Sequence, residues 1–296
     1  MLVCAKRVLT AKRVIWQENG GLKPLIAVDL TTGIRSEFSA PFPWAFALTA
    51  DEEDQIVYVA SSIPDEVWEF DLATGATIKT LTSPTIPDSS DFLGGGSSAS
   101  AVWGLVLDRS TNPYRLLATN AANNVVAVDT QTGQQSIFSS ASIPNNAYPI
   151  DHPQGIALDS SGSRVFVVGG DFNPAVHIVS LLDGSRTLLS SNATPNNELP
   201  FSENADASLL SVAYDSERGR LLVVDLLAST IFAVDSETGI RSIFTSTTYP
   251  DTDNQFLAFM TVFQDERIPF ILATDLSGAL LAIDAESGRR VFISKN

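Results

Sequence analysis

Apolar and polar positions alternate in short runs along this chain, and the pattern is plainest in Ile231–Ser246, IFAVDSETGIRSIFTS. Ile231–Val234 is a run of β-branched and apolar residues and predicts a strand. Asp235 opens a turn, because its carboxylate can accept hydrogen bonds from backbone N–H groups two or three residues on. Gly239 closes the turn, where the backbone needs a positive φ that glycine adopts without a Cβ clash. Ile240–Ser246 alternates again and predicts the return strand. The chain writes this hairpin six times. The turn openers are Asp29, Asp71, Asp129, Ser180, Asp235 and Asp284, and the turn glycines are Gly33, Gly75, Gly133, Gly184, Gly239 and Gly288. Successive openers lie 42 to 58 residues apart, near the period of roughly 40–50 residues that four-stranded propeller blades show.

A second hairpin precedes the first. It reads LLSVAYDSERGRLLVVD at 209–225, GIALDSSGSRVFVVGG at 155–170, GLVLDRSTNPYRLLATN at 104–120 and AFALTADEEDQIVYVAS at 45–61. Each unit is then four antiparallel strands, A to D. Six units in 296 residues predict one all-β domain over 1–296, a six-bladed β-propeller. The blades are expected near 1–40, 41–83, 101–140, 151–191, 206–246 and 257–296. A β-solenoid has shorter repeats without the second hairpin, and paired sandwiches would not give six matched hairpins. Blade 1 is the least regular, with Val14–Gln17 as strand B, Leu25–Leu30 as strand C and strand A within 2–9. Blade 6 already owns four strands, so the ring is expected to close by packing of blade 1 on blade 6. The alternative is a chain that begins inside a longer protein. Polar loops at 84–100, 141–150, 192–205 and 247–256 join strand D of one blade to strand A of the next. They are expected on one face, with the B–C loops, where binding residues commonly gather.

Composition narrows the function classes. A hydrophobic content of 44% supports a packed core. The net charge of −16 and pI near 4.4 argue against nucleic acid, whose phosphates need clustered Lys and Arg. Cys4 is the single cysteine, so no internal disulfide can form. No run of 18 apolar residues occurs, so no membrane span is expected and a soluble protein is. Lys6 and Arg7 interrupt the apolar start, which lacks a clean signal-peptide pattern. Scarce lysine and loops rich in Ser, Thr and Asn nevertheless suit an extracytoplasmic setting.

The stretch HPQGIALDSSGSRVFVVGGD at 152–171 resembles an NHL-type repeat, and the hairpins resemble the wider group that includes the gluconolactonase-like (senescence marker protein-like) propellers. The resemblance covers nearly the whole chain and rests on structural residues. It implies the six-bladed fold. It also implies that a lactonase member would hold a divalent metal through carboxylate and amide side chains at the inner starts of its A strands. The residues read in that register are Trp44, Trp103, Gln154, Leu210 and Phe259. A hard cation needs several oxygen ligands, and this row supplies Gln154. Its aromatic members instead suggest an apolar mouth, with Trp44, Trp103, Gln154 and Phe259 as candidate ligand-binding residues.

Candidate chemistry lies beside that row. His152 precedes strand A of blade 4 and, with Asp206 and Ser208 or Ser211, is the candidate catalytic set. No G-x-S-x-G elbow supports it. The B–C loops carry Glu18, Asn120, Asp171, Asp225 and Asp275, and Asp171, Asp225 and Asp275 are the candidate ligands for a divalent cation such as calcium. DTDN at 251–254 is a partial calcium-loop spacing, GGGSSAS at 94–100 a flexible tract, and Asn192-Ala193-Thr194 a glycosylation pattern. Two functions are compatible with these residues. One is a binding or scaffold propeller that takes a small molecule, glycan or peptide on the loop-rich face. The other is a metal-assisted lactonase or esterase.

Overall fold

The computed structural model describes residues 8–10, 13–17, 22–62, 65–83, 85, 93, 102–159, 161–170, 172–195, 198–202, 209–250 and 259–295. The chain is an all-β six-bladed β-propeller, and each blade is a four-stranded antiparallel sheet whose strands follow chain order. Blade 1 is Val8–Thr10, Arg13–Gln17, Leu25–Asp29 and Arg35–Glu37; blade 2 is Ala45–Asp51, Ile56–Ser62, Asp65–Asp71 and Thr77–Thr82; blade 3 is Val102–Asp108, Arg115–Asn120, Asn124–Asp129 and Gln135–Ser139. Blade 4 is Pro153–Leu158, Arg164–Gly169, Ala175–Ser180 and Arg186–Ser191; blade 5 is Leu209–Asp215, Arg220–Asp225, Thr230–Asp235 and Arg241–Ser246; blade 6 is Phe259–Phe263, Phe270–Asp275, Leu280–Asp284 and Arg290–Ser294. A single 3-10 turn, Ser216–Arg218, is the only helical element among the described residues. Most of the stretch expected to hold strand A of blade 1 lies outside the described residues.

The hairpin turns form as their residues dictate. The Asp235 carboxylate accepts the N–H groups of Glu237 and Thr238 at 3.1 and 2.7 Å and the Thr238 hydroxyl at 2.8 Å. These bonds hold its pKa below the usual carboxylate range, the Thr238 N–H contributing most. Gly239 donates its N–H to the Asp235 carbonyl at 2.9 Å and sits at φ 72°. Glycine is needed there for a second reason. A Cβ on Gly239 would fall 2.0 Å from the Leu189 carbonyl oxygen, in strand D of the preceding blade. The turns of blades 2, 3 and 6 are seated in the same way, a Cβ on Gly75, Gly133 or Gly288 falling 1.6, 2.1 or 2.2 Å from the carbonyl oxygen of Phe38, Leu81 or Phe244 in the preceding blade.

The chain divides into two compact units, Met1–Ile143 with blades 1–3 and Pro144–Asn296 with blades 4–6. In the first, Leu25, Phe38, Leu48, Val57 and Phe70 form the core shared by blades 1 and 2, and Val67, Leu93, Leu105, Leu116 and Val126 the core shared by blades 2 and 3. In the second, Phe166, Phe201, Val212, Leu221 and Phe232 join blades 4 and 5, and Leu222, Phe244, Phe259, Ile271 and Leu281 join blades 5 and 6. Apolar residues alternate into these cores because successive strand residues face opposite sides of a sheet.

Buried arginines reinforce the second unit. Arg186, Arg241 and Arg290 each begin a strand D and reach the loop that enters their own blade or the end of the strand before it. Arg186 donates to the carbonyls of Asn145, Ala147 and Tyr148. Arg241 donates to those of Leu199, Ser191 and Thr194. Arg290 donates to the Thr245 hydroxyl and the carbonyls of Ser246 and Tyr249. Burial draws the pKa of Arg186 and Arg241 down. In the first unit Gln135 holds the equivalent place, donating to the Thr82 hydroxyl at 2.8 Å and accepting the Leu93 N–H at 2.9 Å.

Candidate functional site

Strand A of every blade from 2 to 6 pairs with strand B through a β-bulge near its first residue. Partners jump from Ala45 to Ala47, Val102 to Gly104, Pro153 to Gly155, Leu209 to Ser211 and Phe259 to Thr261. The extra residue in each is Phe46, Trp103, Gln154, Leu210 or Met260. A bulge leaves its residue outside the ladder and re-aims the side chain. This row differs from the sequence register at two places: Phe46 replaces Trp44, and Met260 replaces Phe259.

In the first unit the bulge residues make an aromatic group. Trp44 stacks on Phe46 with ring centroids 6.4 Å apart and planes at 25°. Phe46 meets Trp103 edge to face at 5.4 Å. Phe46 is buried, and the two tryptophans are half-buried on either side of it. Trp44 precedes strand A with φ 24°, a conformation that costs a non-glycine residue about 1–3 kcal/mol. Gln17, buried at the end of strand B of blade 1, holds this segment on both sides of Trp44. Its amide donates to the Phe42 carbonyl at 2.7 Å and accepts the Ala45 N–H at 2.7 Å. The tryptophan is therefore fixed in place by the backbone that carries it. Stacked half-open rings of this kind offer flat apolar faces to a ligand and supply no acid, base or nucleophile.

The other candidates are placed as follows. Gln154 is buried at the bulge of blade 4, and Phe259 is fully buried in the core shared by blades 5 and 6. His152 stands before strand A of blade 4 with φ 38°, and its Nδ1 lies 3.7 Å from the Asp151 carboxylate. Trp44 and His152 thus hold the same position, and the same unusual backbone, in blades 2 and 4. Asp206 and Ser208 lie outside the described residues, as do Asp171, Glu18, 94–100 and 251–254. Asp225 is fully buried and accepts the N–H groups of Ala228 and Ser202 at 3.0 and 2.7 Å. Asp275 accepts the N–H groups of Ser277 and Ala279 at 2.9 and 3.0 Å and the Ser277 hydroxyl at 2.6 Å. Asn120 turns its B–C loop in the same way, accepting from Ala122 and Asn124. These oxygens shape the loops that carry them. Among the described residues no three metal-ligating side chains gather.

Phe46 was not in the candidate row. Its signal is present in the sequence only as an aromatic two residues beyond Trp44, and the bulge that aims it shows only in the pairing.

No protein-family model and no curated protein matches this chain. Solved structures do match in fold. A chain of a nidogen/laminin complex is similar at 14% identity and a TM-score of 0.66, over 92% of this chain and 90% of that one. A gluconolactonase from Xanthomonas campestris is similar at 10% identity and a TM-score of 0.64, over 93% and 83%. The PQQ-bound aldose sugar dehydrogenase of Streptomyces coelicolor is similar at 14% identity and a TM-score of 0.61, over 99% and 93%. The likeness spans binding and enzymatic proteins and is one of fold. Among the described residues no helix is long and apolar enough to cross a membrane.

Proposed function

We propose that this chain is a binding propeller and that its ligand, a small molecule, glycan or peptide with a flat face, stacks on Trp44 and Trp103. The observation that supports this reading is the preorganised aromatic group: two half-open tryptophans flank a buried phenylalanine, and Gln17 fixes the strained backbone beneath one of them. Preorganised rings bind without a further ordering cost. Intrinsic tryptophan fluorescence, titrated with oligosaccharide and peptide panels, tests it. A saturable change is expected, with binding about tenfold weaker in both Trp44→Ala and Trp103→Ala. Binding unaffected by either substitution removes the proposal.

A hydrolase of the lactone or ester class is the second reading, favoured by the structural likeness to a gluconolactonase and by the shared unusual backbone at Trp44 and His152. Its working groups would be His152 and Asp206, with Asp171, Asp225 and Asp275 toward a divalent cation. Lactone turnover that requires calcium, and is lost in His152→Ala, would replace the binding reading.

A further inference from the structure

Blades 3, 4 and 5 share a device at the turn from strand A to strand B. Strand A ends at an aspartate in blades 3 and 5 and is followed directly by one in blade 4, and the first residue of strand B is an arginine whose Nε donates to it. The pairs are Asp108–Arg115 at 2.7 Å, Asp159–Arg164 at 2.7 Å and Asp215–Arg220 at 2.9 Å. Blade 2 keeps the aspartate, Asp51, but has Ile56 where the arginine belongs. Asp51 is fully buried and its Oδ2 has no hydrogen-bond partner among the described residues. Arg109, from the corresponding turn of blade 3, reaches only Oδ1.

Where the arginine is missing, a cleft of about 790 Å³ opens between blades 2 and 3. Ile56, Tyr58, Glu69 and Lys79 line it from blade 2, and Arg109 and Tyr114 from blade 3. It lies at the A–B turns, the opposite end of these sheets from Trp44 and Trp103. Four carboxylates, Asp51, Glu53, Asp54 and Glu69, stand in or beside the cleft against two cations, Lys79 and Arg109. The Glu69 side chain is 5% exposed, and the partner described for it is Lys79, 3.4 Å away and itself 46% exposed. Burial pushes the Glu69 carboxyl up despite that lysine. Burial and the carboxylates of Glu69, Asp51 and Asp54 push the Tyr58 phenol up as well. The field inside the cleft is negative and its ion pairing incomplete.

We propose that this cleft binds a small molecule bearing a guanidinium or primary amine, with Glu69 as its counter-ion and the tyrosine rings of Tyr58 and Tyr114 as its apolar walls. In blades 3, 4 and 5 the arginine pairs with the strand-A aspartate; in blade 2 that aspartate, Asp51, lies beside the cleft on Arg109, and Glu69 is the buried carboxylate that lines it. A charge-assisted bond to a desolvated carboxylate is strong, and tyrosine rings favour a cation near their faces. Lys79, on a flexible and half-exposed stem, is the group displaced. The protein's net charge of −16 favours approach of a cation.

Calorimetric titration of the full chain with agmatine and 1,4-diaminobutane tests this, with citrate and glucose as the anionic and neutral arms. Saturable binding of the cations alone is expected. Lys79→Met should tighten it about threefold by freeing Glu69, and Glu69→Gln should weaken it about tenfold. Trp44→Ala should leave it unchanged, which separates this site from the aromatic one. Lys79 is half-exposed and holds no core position, so its variant remains informative if Glu69→Gln does not fold. Loss of affinity in Lys79→Met, preference for citrate or glucose, or no saturable cation binding in either the native chain or Lys79→Met overturns the proposal.

Discussion

Blades 4–6 and blade 3 solve one problem in two ways. A loop that enters a blade presents carbonyls that must find donors once buried. In blades 4, 5 and 6 an arginine at the head of strand D gathers them, and each of the three reaches several acceptors at once. In blade 3 Gln135 occupies that place and makes one bond to a hydroxyl and one to a backbone N–H. The difference follows from the side chains. A guanidinium is a fork with five donors, whereas an amide has one donor end and one acceptor end. The arginine gathers several carbonyls with one fork, and the glutamine spends its two ends on one acceptor, Thr82, and one donor, Leu93.

The largest expected effect breaks the comparison on the arginine side. Arg290 is 1% exposed, and Arg290→Met removes the charged donor shared by the carbonyls of Ser246 and Tyr249 and the Thr245 hydroxyl. A loss of about 3 kcal/mol or more is expected from urea unfolding at pH 7.

His177, in strand C of blade 4, sharpens it next. It is buried, its Nδ1 has no hydrogen-bond partner among the described residues, and Arg186 is the charged group acting on it. Burial, and then Arg186, pull its pKa from 6.5 to about 4. The unfolded chain takes up the proton near pH 6.5 while the folded chain does not, so stability falls as pH drops from about 6.5 toward 4. The full loss is about 3 kcal/mol. Urea midpoints at pH 7, 5.5 and 4.5 should show this slope in the native chain and a shallower one in His177→Leu. Equal slopes would place the proton uptake elsewhere.

The smallest effect tests the glutamine. Gln135→Ala loses the neutral hydrogen bonds to Thr82 and Leu93 and is expected to cost about 1–2 kcal/mol in the same assay. A cost equal to that of Arg290→Met would mean that the fork geometry is irrelevant.

The fold was legible because the evidence for it is local and repeated. An aspartate, a glycine four residues on and alternating flanks specify a hairpin without reference to the rest of the chain. What lay between blades was not legible in this way. The Gly-x-Arg spelling at Arg186, Arg241 and Arg290 is visible in the sequence, but its role depends on a loop about 40 residues earlier. The bulge that exchanges Trp44 for Phe46 and Phe259 for Met260 adds one residue to one strand, which a linear register cannot see. Glu69 reads as the polar member of an alternating strand; the cleft that it lines with Ile56, Tyr58 and Tyr114 depends on how blades 2 and 3 meet.

The seating of the C–D turns of blades 2, 3, 5 and 6 on the preceding blade has a consequence for how chains of this design can vary in length. A Cβ at Gly75 would lie 1.6 Å from the Phe38 carbonyl oxygen, and one at Gly133 2.1 Å from that of Leu81. A turn pressed so closely against another blade has no room for an inserted residue. The spacing between repeats nevertheless ranges from 42 to 58 residues, with the interval from turn opener to glycine constant. All of that freedom falls outside the turn, mostly in the segments that carry one blade into the next. Peptide epitopes or affinity handles grafted into this scaffold belong in those segments, where growth leaves the seams between blades intact.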